Sequence, residues 1–490
     1  MAQTTVVSAP GKVLISGGYL VLDPKYSGTV VSTSSRFYTV VRDDISTSSN
    51  SIRVRSPQFL DATWGYSVST AEGTVAVEAL STKYVCAHLE PISSEMTSTC
   101  TSKSNNKFVH LALQSTLTLA AEISGIASVG ERLSRGLDIS IVGDNDFYSQ
   151  RETLAALNLP RTLASLHQIP PFMPTKGPLS SVHKTGLGSS AALITSLVSA
   201  LLLHFSSIPA SALDTPKSPG RALAHNLAQY VHCRAQGKVG SGFDVAAAVF
   251  GSHRYTRFNP DVIDGLMGAE NLRSQVLRPI LSPENEDWDH VIRPFKLPPL
   301  TRLMLADVDA GSDTPSLVGK VLKWRNSNPE DSLALWTSLD KLNTQLAATL
   351  VDLSDLHDKD PGSYITAVKY IASMQAIQAI RAKMRDMGER SGVPIEPPEQ
   401  TQLLDACVAL AGVVGGGVPG AGGYDAIWLL VCEPLDVAPD IPPRERVENV
   451  WANYTALDVS PLSVVESLAG GVRVEAIDSI RGLEEATRPV

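Results

Sequence analysis

The first forty positions group apolar residues into short runs broken by glycine and polar residues, a pattern that predicts sheet. "TTVVSAPGKVLISGGYLVL" reads as an apolar strand, a glycine turn and a second apolar strand, and "TVVSTSSRFYTVVRDD" continues with alternating Val, Tyr and Phe. "CAHLEPISSEMTSTCTSKSNNK" is rich in Ser, Thr and Asn and predicts an exposed loop, after which "FVHLALQSTLTLAAEIS" takes up helical spacing. The longest apolar run, Ala191 to Phe205, is interrupted by Thr195, Ser196 and Ser199 and is too short to cross a bilayer, so it predicts a buried core helix. "RALAHNLAQYVHCRAQ" predicts a helix from Arg221 to Gln236 that stops at Gly237. "SGFDVAAAVFG" predicts another, with Ser241 as its N-cap and Asp244 in its first turn.

Further on, the prolines of "VIRPFKLPPLTRLMLADV" mark a boundary before an apolar strand, and "DAGSDTPSLVGKVLKW" reads as a turn followed by a helix. Helices are expected at 329–353, 364–388 and 399–413, with a strand in "YDAIWLLVCEP". A chain of 490 residues exceeds what one hydrophobic core supports, so two domains are expected, 1–295 and 296–490. The irregular, proline-rich "NLPRTLASLHQIPPFMPTKGPLSSVHKTG" delivers the chain to a glycine motif, and a loop of that length is usually functional or disordered.

A formal net charge of −9 argues against a general nucleic-acid or membrane-surface binder and for a small-molecule ligand; if the ligand is anionic, its cations must be local. The five cysteines are odd in number, far apart and without a CxxC pair, which fits reduced thiols. "MAQTTVVSAPGKV" has no basic stretch followed by an apolar one, so no secretory signal is read and a cytoplasmic location is expected.

"GGGVPG" (415–420) and "GLGSSA" (186–191) fit the dinucleotide-binding fingerprint literally. The first leads into more glycine and then a strand, the second follows polar "SSVHKT", and neither has its acid clearly placed; the context for an NAD site is missing. No GxxxxGK[ST] loop occurs. "TGLGSSAA" can still seat a phosphate. Gly186 and Gly188 let the backbone turn and approach a ligand, the helix start points N–H groups at an anion, and Ser189 and Ser190 can cap the helix or reach a phosphate oxygen or hydrated Mg²⁺. A serine-capped core helix after a glycine turn has the same sequence. His225 and His232 lie seven apart on one helix face with no HExxH and no carboxylate partner, and they read as structural.

"SAPGKVLISGGYLVL", "KTGLGSSAA" and "GVPGAGGYDAIWLL", in that order and separation, resemble the three signature motifs of the GHMP kinase superfamily; "GKVGSGFDVAAAVFGS", "GGYLVLDPKYSGTVVSTSSRF" and "VPGAGGYDA" resemble its fungal-type phosphomevalonate kinase branch over nearly the whole chain. The resemblance implies a two-lobed α+β fold, an N-terminal domain like that of ribosomal protein S5 and a C-terminal ferredoxin-like domain, with ATP and substrate in the cleft. It implies Mg-ATP-dependent phosphorylation of 5-phosphomevalonate to 5-diphosphomevalonate. Gly186, Leu187, Gly188, Ser189, Ser190 and Ala191 fall on the ATP phosphate loop, Ser190 on the serine that approaches Mg²⁺, and Lys12 and Asp244 on the catalytic pair. Gly420, Ala421, Gly422 and Gly423 match the third motif, which folds toward phosphates and substrate. Lys184 beside the phosphate loop and Lys238 are expected as secondary counter-charges, and Ser241, Ser312 and Thr314 as substrate contacts.

The sequence departs from the superfamily in two places. The proline that commonly opens the second motif is absent beside His183 and Lys184, and between Arg221 and Phe250 the only acid is Asp244, where mevalonate kinase has a metal-holding glutamate. Two alternatives stay open from the residues: a relative acting on a hydroxyl such as that of mevalonate or homoserine, and a non-catalytic ATP-binding sensor.

Overall fold

The computed structural model describes residues 3–44, 49–70, 73–80, 106–175, 177–268, 275–308, 314–371, 375–433 and 441–489. Two sheets organise them. The first combines β1 (Thr4–Ser16), β2 (Ser27–Asp43), β3 (Ser51–Arg55), β4 (Thr63–Ser69), β5 (Ala76–Ala79), β6 (Leu137–Gly143), β7 (His253–Thr256) and β8 (Val291–Pro294). The second combines β9 (Thr301–Asp307), β10 (Val413–Gly417), β11 (Ala426–Cys432) and β12 (Ser460–Leu462) in the order β10-β11-β9-β12, all antiparallel. A last strand, β13 (Arg473–Val474), carries the C-terminal part of the chain back to the first sheet, against β1. The first sheet therefore runs β13-β1-β2-β6-β3-β4-β5, with β7 joining β2 to β8; only β3 and β6 pair in parallel among the described strands.

The helices that shape the site are α1 (Lys107–Ser124), α2 (Ser189–His204), α3 (Pro219–Gln236), α4 (Phe243–Phe250), α5 (Thr314–Ser327), α6 (Pro329–Lys359), α7 (Pro361–Ile371), α8 (Gln375–Ser391), α9 (Pro398–Val408) and α10 (Pro443–Asn453). Helix α2 is the expected core helix. From Ala191 to His204 every residue but Leu193 is buried, because it lies against β1 and β2 with α1 and α3 beside it. A helix apolar on all sides has nowhere else to go. Strand β1 is likewise buried almost continuously, since α2 and α4 both pack against it and Val6 joins a further cluster with Tyr38, Val40, Val142, Phe172 and Leu483.

Several local expectations change. Gly11 does not turn the chain: β1 runs straight through it, and a methyl there would meet Thr33 Oγ1 at 2.8 Å and the Leu187 carbonyl at 3.0 Å, so glycine serves close approach. "GYLVL" is a 3₁₀ turn instead of a strand. The stretch 364–388 divides between α7 and α8, with 372–374 outside the described residues, and α6 extends to Lys359. The helix expected to reach Val413 ends at Val408, because Gly412, at φ 98°, turns the chain into β10. The loop at 86–107 lies almost wholly outside the described residues.

Buried polar links join the two sheets. The Arg151 guanidinium pairs with the Asp307 carboxylate at the end of β9 and also donates to the Asp307 and Asp458 carbonyls, at 2.8 and 2.6 Å. Asp146 accepts from the Ser463 N–H and hydroxyl, both at 2.7 Å. His183 Nε2 lies 3.2 Å from Asp307 Oδ1, which fixes the approach to the glycine motif against the second sheet.

Candidate active site

Lys12 sits at a bulge in β1, where the register against β2 shifts between Pro10 and Lys12. A bulge frees a backbone group and re-aims a side chain, and here both go to the glycine loop. The Lys12 N–H donates to the Leu187 carbonyl at 2.9 Å and its ammonium to the Gly186 carbonyl at 2.8 Å. Gly186 and Gly188 both have φ 77°, in the left-handed region. At Gly188 a methyl would lie 2.9 Å from Lys12 Cε, so the loop closes directly over the lysine stem.

The helix starts differ from expectation in a way that affects the site. Gly188, not a serine, is the N-cap of α2, and Gly242, not Ser241, that of α4; neither cap has a side-chain hydrogen bond. The serine hydroxyls are thereby released from capping. Ser190 Oγ instead lies 3.0 Å from His232 Nε2 on α3, and the same nitrogen is 3.8 Å from Asp244 Oδ2 in the first turn of α4. The Val245 N–H donates to the other Asp244 oxygen at 3.0 Å.

Electrostatics follow from this enclosure. Burial lowers the Lys12 ammonium below its ordinary pKa, while the carboxylates of Asp244 and Asp425 act in the opposite direction and favour its charged form. The Phe243 ring lies 5.5 Å from the same ammonium, a further attraction. Asp425 immediately precedes β11, whose first residue Ala426 pairs with Asp307 on β9, and its carbonyl accepts from the Val308 N–H at 3.1 Å. The end of the second sheet thus supplies a carboxylate to a lysine of the first.

The third glycine motif closes the arrangement. The Tyr19 hydroxyl donates to the Ala421 carbonyl at 2.7 Å, and Gly423 N–H donates to the Ile395 carbonyl at 2.9 Å. Gly422, at φ 73°, has no room for a methyl against that carbonyl. A cavity of about 30 Å³ lies where the motifs face each other, with Ser16, Gly17 and Gly18 on one side and Met384, Gly417 and Gly420 on the other.

Lys12, the 186–190 loop and Asp244 are thus brought together, and 420–423 sits against the segment that follows Lys12. Ser241 is half-buried and its carbonyl accepts from the Tyr255 hydroxyl at 2.8 Å. Lys184 pairs its backbone with Tyr148, and Lys238 closes the turn after α3; both side chains are exposed. Ser312 and the side chain of Thr314 lie outside the described residues, although the expected helix does start at Thr314. Sequence reasoning missed Asp425, Phe243 and His232. For His232 the sequence of α3 held no signal, because its partners Ser190 and Asp244 lie on other helices.

Ser190 and Asp244 offer hard oxygen donors of the kind Mg²⁺ takes. Magnesium keeps several waters and binds through one or two side chains plus substrate phosphates. Among the described residues no group of three or more His, Cys, Asp or Glu could hold a metal, so the donor set fits an ion that arrives with a nucleotide and not a protein cage.

Comparison with known proteins places this geometry. The GHMP kinases N terminal domain family matches residues 169–252, which span the glycine loop, α2, α3 and α4. The phosphomevalonate kinase of Gibberella zeae is 39% identical over 98% of this chain and 98% of its own. That of Aspergillus fumigatus is 38% identical over 88% of each chain, and the peroxisomal phosphomevalonate kinase of Arabidopsis thaliana 37% over 87% and 90%. Among solved structures, the Lin0012 protein of Listeria innocua has TM-score 0.61 at 16% identity, covering 96% of this chain and 99% of that one. The Streptococcus pneumoniae phosphomevalonate kinase in complex with phosphomevalonate and AMPPNP has TM-score 0.55 at 18% identity, covering 95% and 99%. The structures share the fold, the sequences share far more, and this chain belongs to the phosphomevalonate kinase family of the GHMP kinases.

Proposed function

We propose that the protein transfers the γ-phosphoryl group of ATP to the phosphate of (R)-5-phosphomevalonate, giving (R)-5-diphosphomevalonate and ADP. The observation that carries this reading is Lys12, held at a bulge between the carbonyls of the glycine loop and the carboxylates of Asp244 and Asp425. The names of the fungal and plant relatives support the substrate, and the nucleotide analogue bound to the Streptococcus pneumoniae protein supports ATP.

A phosphate monoester has a second pKa of about 6 and is mostly a dianion at neutral pH, already a nucleophile. Its oxygen forms the new P–O bond while the β,γ-bridging oxygen leaves with ADP. Alignment and charge stabilisation then supply most of the rate, with little demand for a general base. Lys12 neutralises the transferring group. Asp244 orients Lys12 and takes a proton when the acceptor arrives protonated. Residues 186–191 and Lys184 hold the phosphates of ATP, and Lys238, Ser241, Ser312, Thr314 and 420–423 hold the acceptor. Mg²⁺, held by Ser190 and Asp244, would supply countercharge to the nucleotide phosphates.

We further propose that the domains divide at 295/296, with the tail that carries β13 returned to the first. Among the described residues no helix is long and apolar enough to cross a membrane, and the cytoplasm is the compartment this reading expects. The test is ADP release from Mg-ATP with 5-phosphomevalonate, mevalonate, homoserine and galactose offered separately. Turnover with 5-phosphomevalonate alone is expected, falling at least about 100-fold in Lys12→Met and in Asp244→Asn. A Lys12→Met protein with nearly parental turnover would contradict the assignment, and silence with all four alongside ATP binding would favour a sensor.

A further inference from the structure

His232 stands where three helices meet. It is 3% exposed, its Nε2 lies 3.0 Å from Ser190 Oγ at the start of α2, and the same atom is 3.8 Å from Asp244 Oδ2 at the start of α4. One turn further along α3, the Gln236 side-chain amide nitrogen is 3.1 Å from that Nε2. A neutral imidazole nitrogen has one lone pair, and in the tautomer with its proton on Nδ1 that lone pair at Nε2 is open to a hydroxyl donor. The Ser190 hydroxyl then donates to Nε2.

This fixes more than a rotamer. A serine oxygen approaches a cation through its lone pairs, which requires its proton to be held elsewhere. His232 takes that proton and turns the Ser190 lone pairs outward. The start of α2 is capped by glycine with no side-chain hydrogen bond, so nothing in the cap itself orients Ser190. We propose that His232 is a positioning residue that sets the Ser190 hydroxyl for binding nucleotide with its magnesium. The inference rests on the reading of Ser190 and Asp244 given under Proposed function.

The test compares ATP binding by isothermal titration calorimetry with Mg²⁺ and with EDTA. His232→Phe keeps the ring volume beside Phe108, whose centroid is 6.5 Å away, and removes the acceptor. Loss of such a supporting partner typically costs 10- to 100-fold in metal affinity or activity. His232→Phe should therefore weaken Mg-ATP binding at least about ten-fold while metal-free ATP binding changes less than about two-fold. His232→Gln, whose amide oxygen can accept the same proton, should bring Mg-ATP binding back to within about three-fold of the parent. Equal weakening with and without Mg²⁺, no weakening at all, or a glutamine variant as poor as phenylalanine would each overturn the proposal. If melting curves show that His232→Phe does not fold, His232→Leu takes its place with the same expected ratio. A parent that binds Mg-ATP but releases no ADP with 5-phosphomevalonate defeats the functional reading alone, and the ratio of the two affinities still decides the role of His232.

Discussion

Replacing Gly188 by alanine adds one methyl group at the point where the glycine loop closes over Lys12. At φ 77° an L-residue pays about 1 to 2 kcal/mol for the left-handed conformation, which lowers stability by roughly that amount. The methyl would lie 2.9 Å from Lys12 Cε, 3.1 Å from Cγ and 3.6 Å from Cδ. Carbon atoms prefer about 3.5 to 4.0 Å, so the lysine stem must move by up to about 1 Å. A displacement of that size in a catalytic group can cost about 100-fold. Gly188→Ala should lower kcat about 10- to 100-fold, read by coupled ADP release at saturating ATP and 5-phosphomevalonate. Gly392→Ala is the control: its φ is 66° and no atom lies within 4 Å of the added methyl, so it should lose similar stability and keep its kcat. If Gly188→Ala keeps kcat within about two-fold of the parent while melting as predicted, the tight closure over Lys12 has no catalytic consequence and the reasoning fails.

Three further outcomes follow from the packing. Arg381 and Glu396 are paired and buried, with Arg385 and Thr401 also on the carboxylate, so Arg381→Met should destabilise the protein by about 3 kcal/mol in urea unfolding; a loss under about 1 kcal/mol would show the pair to be dispensable. Burial pushes His253 and His290 down to about 4 and His225 well below the usual histidine range. The folded state therefore favours the neutral rings, and the stability they contribute is present above about pH 6.5 and lost as pH falls toward 4, so melting temperature should drop over that window and drop less in His290→Gln. Cys233, Cys407 and Cys432 are buried with thiol pKa values raised by burial, to about 12 for Cys407 and about 11 for Cys432. Iodoacetamide on the native protein, followed by peptide mass mapping, should leave all three unmodified.

What could be read from the sequence was whatever declares itself locally. The Ala191–Phe205 run had to be buried because it is apolar all round, and Gly186 and Gly188 announced a left-handed loop by being glycine. What could not be read depends on distant contact. The bulge at Lys12 exists because residues 186 and 187, far along the chain, offer carbonyls to it. The same approach keeps Gly11 inside a strand where composition suggested a turn. His232 looked structural because its partners, Ser190 and Asp244, sit on other helices and leave no period in the sequence of α3. Asp425 reaches Lys12 only because β11 pairs with β9 and brings the second sheet's end to the first. Glycine caps at both helix starts displaced the expected serine caps, since Gly188 and Gly242 reach left-handed angles that serine adopts only with strain.

The central claim is that the acceptor is a phosphate and not a hydroxyl, and phosphorus-31 NMR of the product tests it most directly. The parent protein, Mg-ATP and 5-phosphomevalonate should yield, beside ADP, two mutually coupled doublets from a diphosphate monoester while the acceptor's singlet disappears. A product with two uncoupled monoester signals would mean transfer to a hydroxyl group and would contradict the account.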